Sequence, residues 1–435
     1  MKYHNPIITG FHPDPSVCRV GNDFYLVNSS FEYFPGIPIY HSTDLTHWEQ
    51  IGHVLDRKNQ LKLVSGAPNC LGIYAPTIRY HEGIFYCIVT NVGGRSGGNF
   101  FVYTTDPYGR WSNPVKLPFA GIDPSLFFDE DGRIYYTGTD TGIYITEITF
   151  DVVRNDTPKR NELPVSIQNV KCGEKHYIWN GSGGNNPEGP HLYRIHDMYY
   201  LMIAEGGTEY CHMVTIARSK NVYGSYEACP HNPVLSNRST CLNIKAIGHA
   251  DLVEDSQGSW WAVCLGIRPL GYPFRHNLGR ETMLAPVKWE NGWPVMGDNG
   301  TVTETFEVET APGKKTRKSD FYIPGSNMTD TFCSNKLHPS WNTIYTPVSK
   351  FVKPTKQGLS LCAYDTTLSD DKPKAILVRR QEHFHFTATA TLTLESVNAG
   401  SEAGITIYMN NRHHYEAALS TVGNGEYFLI LRRRI

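Results

Sequence analysis

The chain has 435 residues, which is long for one domain and predicts two or three. Its residues are 40% hydrophobic and 19% charged, which excludes a disordered chain, and a formal net charge of −2 gives no electrostatic reason to expect nucleic acid or an anionic membrane as a partner. The sequence contains no run of about 18 apolar residues, so it predicts no membrane-spanning helix.

The ten cysteines are scattered and form no Cys-x-x-Cys pair, which indicates reduced thiols rather than a disulfide framework. The first residues, MKYHNPIITG, lack the apolar stretch of a secretory signal. Both features favour a cytoplasmic protein, unless a signal has been removed. We assign no cofactor, and a homo-oligomer stays open.

A hairpin pattern recurs five times along the chain. Each unit has a short alternating strand, a turn with Gly or Asp, and a second strand that opens on two aromatic residues. Such repeats are typical of β-propellers, in which four-stranded blades pack radially. We therefore predict an all-β fold with a five-bladed propeller, and the alternative is a large sandwich made of hairpins. The units are DPSVCRVGNDFYLVNSS from Asp14, APTIRYHEGIFYCIVTN from Ala75, DPSLFFDEDGRIYYTGT from Asp123, EGPHLYRIHDMYYLMIA from Glu188 and HADLVEDSQGSWWAVCL from His249.

The leading residues of these units indicate the chemistry. In a propeller the first strand of each blade is innermost, so its first residues surround the axis at one end. Asp14, Asp123, Glu188 and His249 are therefore expected to converge on one axial pocket. Clustered acids are electrostatically unfavourable inside a protein, which suggests that these carboxylates have a function. Two carboxylates with separated pKa values are the minimum for glycoside hydrolysis, and a third can tune the acid.

Six motifs carry a resemblance to glycoside hydrolase family 43, and specifically to its β-xylosidase branch: FHPDPSV, APTIRYH, GIDPSLFFD, EGPHLYR, GHADLV and LGRETMLAPVKWE. The resemblance covers residues 4–310 and continues into a C-terminal module. It implies a five-bladed propeller and an inverting mechanism. By position it makes Asp14 the general base, Glu188 the general acid, and Asp123 the carboxylate that tunes and orients Glu188.

The resemblance also implies substrate-binding residues. Arg280, in LGRETM, resembles the family's arginine that contacts the substrate and the tuning carboxylate, and a surface ion pair is the alternative. Phe31 and Tyr74 are expected to form the apolar wall of the sugar subsite, since pyranose faces stack on aromatic rings, although the family often has Trp where this chain has Tyr74. His249 is expected either to hold a water or an ion on the axis or to hydrogen-bond within the core. We assign no metal.

Three segments follow along the chain. Residues 1–310 are predicted to form the catalytic propeller, residues 311–325 a linker, and residues 326–435 a β-sandwich module. The last hairpin turns at Asn424-Gly425 and reaches Ile435 within a strand, and the module is shorter than the family's usual sandwich. We therefore expect an incomplete, truncated sandwich with part of its apolar inner face exposed.

The predicted function is that of an exo-acting, inverting glycoside hydrolase, a β-xylosidase, which releases xylose from the non-reducing end of β-1,4-xylo-oligosaccharides. Exo action is expected because the extra module closes one side of the pocket in this branch. The alternatives are an α-L-arabinofuranosidase acting on an arabinose-substituted substrate, a dual enzyme, or a non-catalytic carbohydrate-binding propeller. A binding module would keep the aromatic residues but has no need of three convergent acids.

Overall fold

The computed structural model describes residues 2–64, 69–93, 97–308, 321–334, 336–395 and 398–435. Apart from the 3₁₀ turn Val348–Lys350, the regular elements in these residues are all β-strands. The described residues include no helix long and apolar enough to cross a membrane. The all-β prediction is therefore confirmed.

Five antiparallel sheets follow one another along the chain, and each corresponds to one of the repeated units. Blade 1 contains the strands Ser16–Val20, Asp23–Val27, Gly36–Ser42 and Glu49–Leu55. Blade 2 contains Thr77–His81, Ile84–Val92, Gly98–Thr104 and Val115–Lys116, and the short strand Gly72–Ile73 pairs with its second strand; blade 3 contains Ile122–Phe128, Ile134–Thr139, Ile143–Arg154 and Val165–Cys172, and His176–Tyr177 pairs with its third strand. Blade 4 contains Glu188–Ile195, Met198–Glu205, Met213–Ser219 and Glu227–Ala228, and blade 5 contains Lys245–Glu254, Trp260–Ile267, Glu281–Glu290 and Trp293–Met296.

The first strands of neighbouring blades contact one another in a closed ring, from blade 1 through blade 5 and back to blade 1. These strands therefore line the axis, and the predicted five-bladed propeller is confirmed. The N-terminal segment fastens the last blade to the first. Lys2–His4 pairs with Thr305–Glu307, and the Asn5 side chain donates to the Leu284 carbonyl at 2.9 Å and accepts from the Leu284 amide at 2.8 Å.

The hydrophobic core consists of layers between adjacent blades. Successive side chains of a strand point to opposite faces of a sheet, so each blade can bury both of its faces. In blade 2, Phe85 and Cys87 pack against blade 1, whereas Tyr86 and Ile88 pack against blade 3. This alternation explains the paired aromatic residues in the sequence, since one ring of such a pair fills the layer on each side of the blade.

A buried ion pair joins the blades below the pocket. The Asp251 carboxylate, on the first strand of blade 5, is fully buried. It accepts hydrogen bonds from Ser16 Oγ of blade 1 at 2.6 Å, from the Arg79 guanidinium of blade 2 at 2.8 and 3.1 Å, and from Tyr193 Oη of blade 4 at 2.6 Å. Burial alone would raise the pKa of Asp251, but the charge and hydrogen bonds of Arg79, the interaction with His191 and the Ser16 hydrogen bond together outweigh it, so the pKa lies well below its ordinary value.

The same network reaches blade 3 through a histidine. His191 Nδ1 accepts a hydrogen bond from Arg79 at 3.0 Å and lies 3.3 Å from Ser125 Oγ of blade 3. Burial lowers the pKa of His191 to about 3, so the ring stays neutral and can accept from the arginine. All five blades thus contribute a polar group to one connected network.

The C-terminal module packs against blade 1. Thr343–Ile344 pairs with Tyr33–Phe34 of the propeller, and a small apolar cluster around Ile344 and Ile376 lies at this junction. The hairpin Val352–Thr355 with Gly358–Leu361 follows, and then the sheet Glu402–Asn410, His413–Thr421 and Tyr427–Arg434.

This last sheet exposes several apolar side chains. Ile405, Ile407, Leu429 and Leu431 are 42, 55, 69 and 75% exposed. The incomplete sandwich stays a prediction. Residues 311–320 of the predicted linker lie outside the described residues, so the predicted domain boundaries also stay predictions.

Removing the Asp251 carboxylate should destabilise the propeller strongly. The Asp251→Ala variant leaves the Arg79 guanidinium buried without its counter-charge, which we expect to lower the free energy of unfolding by about 3–5 kcal/mol. Urea unfolding followed by tryptophan fluorescence measures this loss.

Two further variants serve as a control and as a milder test of the network. Asp131→Ala removes the exposed Asp131–Arg133 pair, whose atoms are 2.6 Å apart, and should leave the unfolding midpoint close to that of the wild type. If Asp251→Ala does not fold, Tyr193→Phe removes a single bond to the carboxylate and should still lower the midpoint. Equal midpoints for Tyr193→Phe and the wild type would contradict the role of the network.

Candidate active site

Irregular backbone positions the predicted site residues at the start of the inner strands. Asp14, Asp123 and His249 have positive φ values of 53°, 53° and 46°, which are uncommon for residues other than glycine. The pairing register shifts between Ile122 and Ser125, and comparable shifts occur at the same place in blades 4 and 5. Bulges of this kind redirect side chains next to active sites, and here they turn the leading residues toward the axis.

The Asp14 carboxylate is buried and held by two donors. Arg280 Nη1 donates to Oδ1 at 2.9 Å, Ser29 Oγ donates to Oδ2 at 2.5 Å, and His249 Nδ1 lies 4.0 Å from Oδ1. Burial alone would raise the pKa of Asp14, but Arg280, His249 and the Ser29 hydrogen bond together outweigh it and lower the pKa. Asp14 is therefore ionised at neutral pH.

Asp123 and Glu188 form a pair of carboxyl groups beside it. Burial, then the charges of Glu188 and Asp14, raises the pKa of Asp123 well above its ordinary value. Burial, then the charge of Asp14, raises the pKa of Glu188 to about 7, although Arg280 acts in the opposite direction. Because the pKa values of both carboxyl groups are raised, the pair retains a proton near neutral pH.

The residue after Glu188 has to be a glycine. Gly189 has a φ of 61°, and its amide donates to Asp123 Oδ2 at 3.2 Å. A Cβ atom at this position would lie 3.0–3.2 Å from the His249 ring, which is tighter than ordinary packing. Gly189 thereby links the Asp123 carboxylate to the Glu188 backbone while leaving room for the histidine.

Aromatic rings surround the Arg280 guanidinium. Its Cζ lies 5.5 Å from the centroid of Phe31 and 6.0 Å from that of Phe11, and the two rings stack at 5.7 Å. Phe31 also contacts Tyr74, at a centroid distance of 5.5 Å. Phe31 is only 7% exposed, and its ring contacts Arg280, Phe11 and Tyr74.

The structure changes one detail for Arg280. The resemblance implies a contact with the tuning carboxylate, whereas the hydrogen bond from Arg280 goes to Asp14. The alternative of a surface ion pair is wrong, because the Asp14 side chain is only 8% exposed. The seven predicted site residues nevertheless lie in one place: Asp14, Phe31, Tyr74, Asp123, Glu188, His249 and Arg280.

Sequence reasoning missed a second histidine at the axis. His212 is buried next to His249. Burial lowers the pKa of His212 to about 3, so it is neutral near Asp14. Nothing in its sequence surroundings, EYCHMV, marks it as axial. Among the described residues no three histidine, cysteine or acidic side chains are grouped so as to hold a metal ion.

The C-terminal module reaches the loop that leads to Asp14, which sequence reasoning also missed. Arg380 Nε donates to the Phe11 carbonyl at 2.6 Å, and the Thr9 hydroxyl donates to the Glu382 carbonyl. A Cβ atom on Gly10 would lie 2.6 Å from the Gln381 carbonyl oxygen, so only glycine permits this approach. The module therefore positions Phe11, one of the two rings beside Arg280.

Comparison with known proteins places this geometry in a family. The family model of the glycosyl hydrolases family 43 matches residues 3–294, and that of the beta xylosidase C-terminal concanavalin A-like domain matches residues 329–435. The chain is 41% identical to the non-reducing end α-L-arabinofuranosidase BoGH43B of Bacteroides ovatus, over 100% of this chain and 78% of the relative. It is 33% identical to a β-xylosidase of Bacillus subtilis, over 95% and 78% of the two chains.

Solved structures agree with this assignment. The structure described as Bacteroides ovatus xyloglucan PUL GH43B has a TM-score of 0.84 and 37% sequence identity, and the match covers 100% of this chain and 82% of that chain. A xylan β-1,4-xylosidase from Bacillus halodurans has a TM-score of 0.81 and 31% identity, with 99% and 82% covered. Together with the axial carboxylates, these matches show that the chain is a glycoside hydrolase that belongs to family 43.

Proposed function

We propose that the protein is an exo-acting, inverting pentosidase that removes xylose from the non-reducing end of β-1,4-xylo-oligosaccharides. The observation that carries this proposal is the opposite pKa shifts of Asp14 and Glu188 in one pocket. An ionised carboxylate and a protonated one are the two groups that glycoside hydrolysis needs.

Asp14 acts as the general base in this proposal. Its carboxylate keeps its negative charge because Arg280 and Ser29 stabilise the ionised form. It removes a proton from a water molecule as that water attacks the anomeric carbon from the face opposite the leaving group. The configuration at that carbon then inverts.

Glu188 acts as the general acid, and Asp123 tunes it. Since the pair shares a proton near neutral pH, Glu188 can protonate the glycosidic oxygen as the bond to the leaving group breaks. Asp123 stays close to the acid through the Gly189 amide. If the pair also lost this shared proton, two negative charges would lie side by side. The repulsion between them keeps Glu188 protonated to higher pH.

The position of the C-terminal module supports exo action. It packs against Tyr33–Phe34 and against the loop that carries Phe11, both next to the wall formed by Phe31. A module on this side of the pocket leaves less room for a polysaccharide chain to pass through. We therefore infer that the pocket accepts the end of a chain.

Release of L-arabinofuranose is the second candidate. The relative from Bacteroides ovatus, at 41% identity, is named a non-reducing end α-L-arabinofuranosidase, and a relative from Butyrivibrio fibrisolvens, at 39%, is named a xylosidase/arabinosidase. Kinetics of the purified protein on 4-nitrophenyl β-D-xylopyranoside and 4-nitrophenyl α-L-arabinofuranoside decide between the two. A higher kcat/KM on the xyloside supports the first candidate, a higher value on the arabinofuranoside supports the second, and no hydrolysis of either contradicts the proposed function.

Hydrolysis should invert the anomeric centre. Because the proposed base activates water rather than forming a bond to the sugar, a β-xyloside should release α-xylose first. Proton NMR of the fresh product, recorded before mutarotation, measures the anomer. Early β-xylose would overturn the assignment of Asp14 as a base.

The acid and base variants should respond differently to the leaving group. Glu188→Ala should lose most activity on xylobiose and keep more on an activated aryl glycoside, which needs little protonation. Asp14→Ala should lose activity on both substrates, because the attacking water stays unactivated. Parallel losses in the two variants on both substrates would count against these roles.

Replacing Asp123 by asparagine should move the alkaline limb of the pH–rate profile to lower pH. The variant removes the negative charge that resists ionisation of Glu188, so the pKa of the acid should fall. Profiles of kcat/KM for the wild type and Asp123→Asn measure the shift. An unchanged alkaline limb would show that Asp123 does not tune the acid.

A further inference from the structure

A buried glutamate of blade 4 has no part in the proposed chemistry. Glu205 is the last residue of the strand Met198–Glu205, and its side chain is fully buried. It directly follows Ala204, which pairs with the proposed acid Glu188. A carboxylate is rarely buried without strong partners, so the groups that donate to Glu205 indicate what it holds in place.

The donors to Glu205 come mainly from the loop that leads into the acid. The Gly184 amide donates to Oε2 at 3.0 Å, and the Ser182 amide donates to Oε1. The Ser182 hydroxyl donates to Oε2, also at 3.0 Å. Thr215 Oγ1, on the neighbouring strand Met213–Ser219, donates to Oε1 at 3.1 Å. The carboxylate therefore fastens this loop to the sheet of blade 4.

Glycines let the loop pass close to the carboxylate. A Cβ atom on Gly181 would lie 2.0 Å from Glu205 Oε1, and one on Gly184 would lie 2.7 Å from Oε2. Gly181 also has a φ of 91°, which favours glycine. After Gly184, the Asn185 carbonyl accepts a hydrogen bond from the Gly206 amide at 2.7 Å. The loop is therefore attached to Glu205 and to the residue after it, just before the chain reaches the proposed acid.

The two backbone donors require two acceptor oxygens. Ser182 and Gly184 donate their amides to different oxygens of Glu205. A glutamine of the same shape has one acceptor oxygen and one NH2 group, so one of the two amides would face another donor. Such a buried mismatch is costly, and the loop has to move to relieve it. The loop conformation thus depends on the carboxylate itself and not only on the volume of the side chain.

A shift of this loop acts on the acid rather than on the base. Glu188 lies shortly after the loop, and its backbone pairs with the residue before Glu205. Asp14 is held separately, by Arg280 and Ser29. A general acid has to reach the glycosidic oxygen at hydrogen-bond distance, and a misplacement of about 1 Å can lower the rate by about a hundredfold. Release of the loop should therefore impair protonation of the leaving group while the attacking water is still activated.

We propose that Glu205 is a positioning residue for the general acid: its carboxylate holds residues 181–185 so that Glu188 reaches the glycosidic oxygen. The inference rests on the proposed function, because it takes Glu188 as the acid, and it applies to release of either pentose. Glu205 acts only through the loop and exchanges no proton with the substrate.

The experiment compares two substrates with the same pentose and different leaving groups. One is the 2,4-dinitrophenyl pentoside, whose leaving group needs little protonation; the other is the same pentose linked to xylose, whose leaving group needs the acid. The pentose is the one that the wild type releases. Glu205→Gln should lower kcat/KM on the disaccharide by about 10–100-fold and keep the value on the dinitrophenyl pentoside within about twofold of the wild type.

A second variant and a control complete the comparison. Gly184→Ala keeps the carboxylate but places a Cβ atom 2.7 Å from Oε2, so it should displace the loop and give the same selective loss even if Glu205→Gln does not fold. Asp255→Asn is the matched control, since Asp255 is also buried and accepts from the amides of Gln257 and Ser259 at 2.8 and 3.0 Å. That carboxylate lies in the turn between the first two strands of blade 5, so its loss should change both kcat/KM values by the same factor.

The outcomes separate this role from the proposed function. Equal losses on the two substrates in Glu205→Gln and Gly184→Ala, or no loss on the disaccharide, would overturn the positioning role, because a general loss of structure affects both substrates. Wild-type protein that hydrolyses neither substrate would overturn the proposed function, and this role with it. A loss confined to the disaccharide, with an unchanged ratio of the two kcat/KM values in Asp255→Asn, is the result that the proposal requires.

Discussion

The buried pair of Asp251 and Arg79 is the interaction on which the rest of the propeller depends. Five inner strands bring buried polar side chains to one axis, and unpaired charges there would be strongly destabilising. The pair is therefore saturated with hydrogen bonds from Ser16 and Tyr193 and extended to blade 3 through His191. Because each blade contributes at least one group, the network also fixes how the five blades are rotated about the axis.

The proposed catalytic carboxylates form the next layer along this axis. Asp14 and Asp123 each lie two residues before a serine of the network, and His249 lies two residues before Asp251. This layer contains three acidic side chains, Asp14, Asp123 and Glu188. Arg280 donates its hydrogen bond to Asp14. The remaining pair, Asp123 and Glu188, lowers its repulsion by retaining a proton. Asp14 is thus ionised because the Arg280 guanidinium lies beside it, whereas the pair of Asp123 and Glu188 keeps a proton.

Local patterns in the sequence were sufficient for the propeller and for its axial acids. A hairpin is encoded within a short stretch, and its repetition places residues such as Asp14 and Glu188 at equivalent positions without any knowledge of tertiary contacts. The identity of the partner of Arg280 was not predictable in this way, because the choice between Asp14 and Asp123 depends on how side chains from blades 1 and 5 meet. Family resemblance supplied the roles, which the spacing alone did not.

Residues that contribute through long-range contacts were missed. Arg380 is 369 positions from the Phe11 carbonyl to which it donates, and no local pattern links them. Phe274 is in a loop whose glycine and proline indicate only a turn, so its proximity to Tyr210 emerges from the packing of blade 4 against blade 5. Glycines were similarly uninformative in sequence, since the need for Gly189 arises from the His249 ring of the next blade.

The pH dependence of kcat/KM tests the central claim most directly, namely that the axial pocket keeps Asp14 ionised and Glu188 protonated. The wild type on xylobiose, whose leaving group needs protonation, should show a bell-shaped profile, with an acidic limb below the ordinary pKa of an aspartate and an alkaline limb near pH 7 from Glu188. In Glu188→Ala the alkaline limb should disappear while the acidic limb remains. An alkaline limb that persists unchanged in Glu188→Ala would contradict the account.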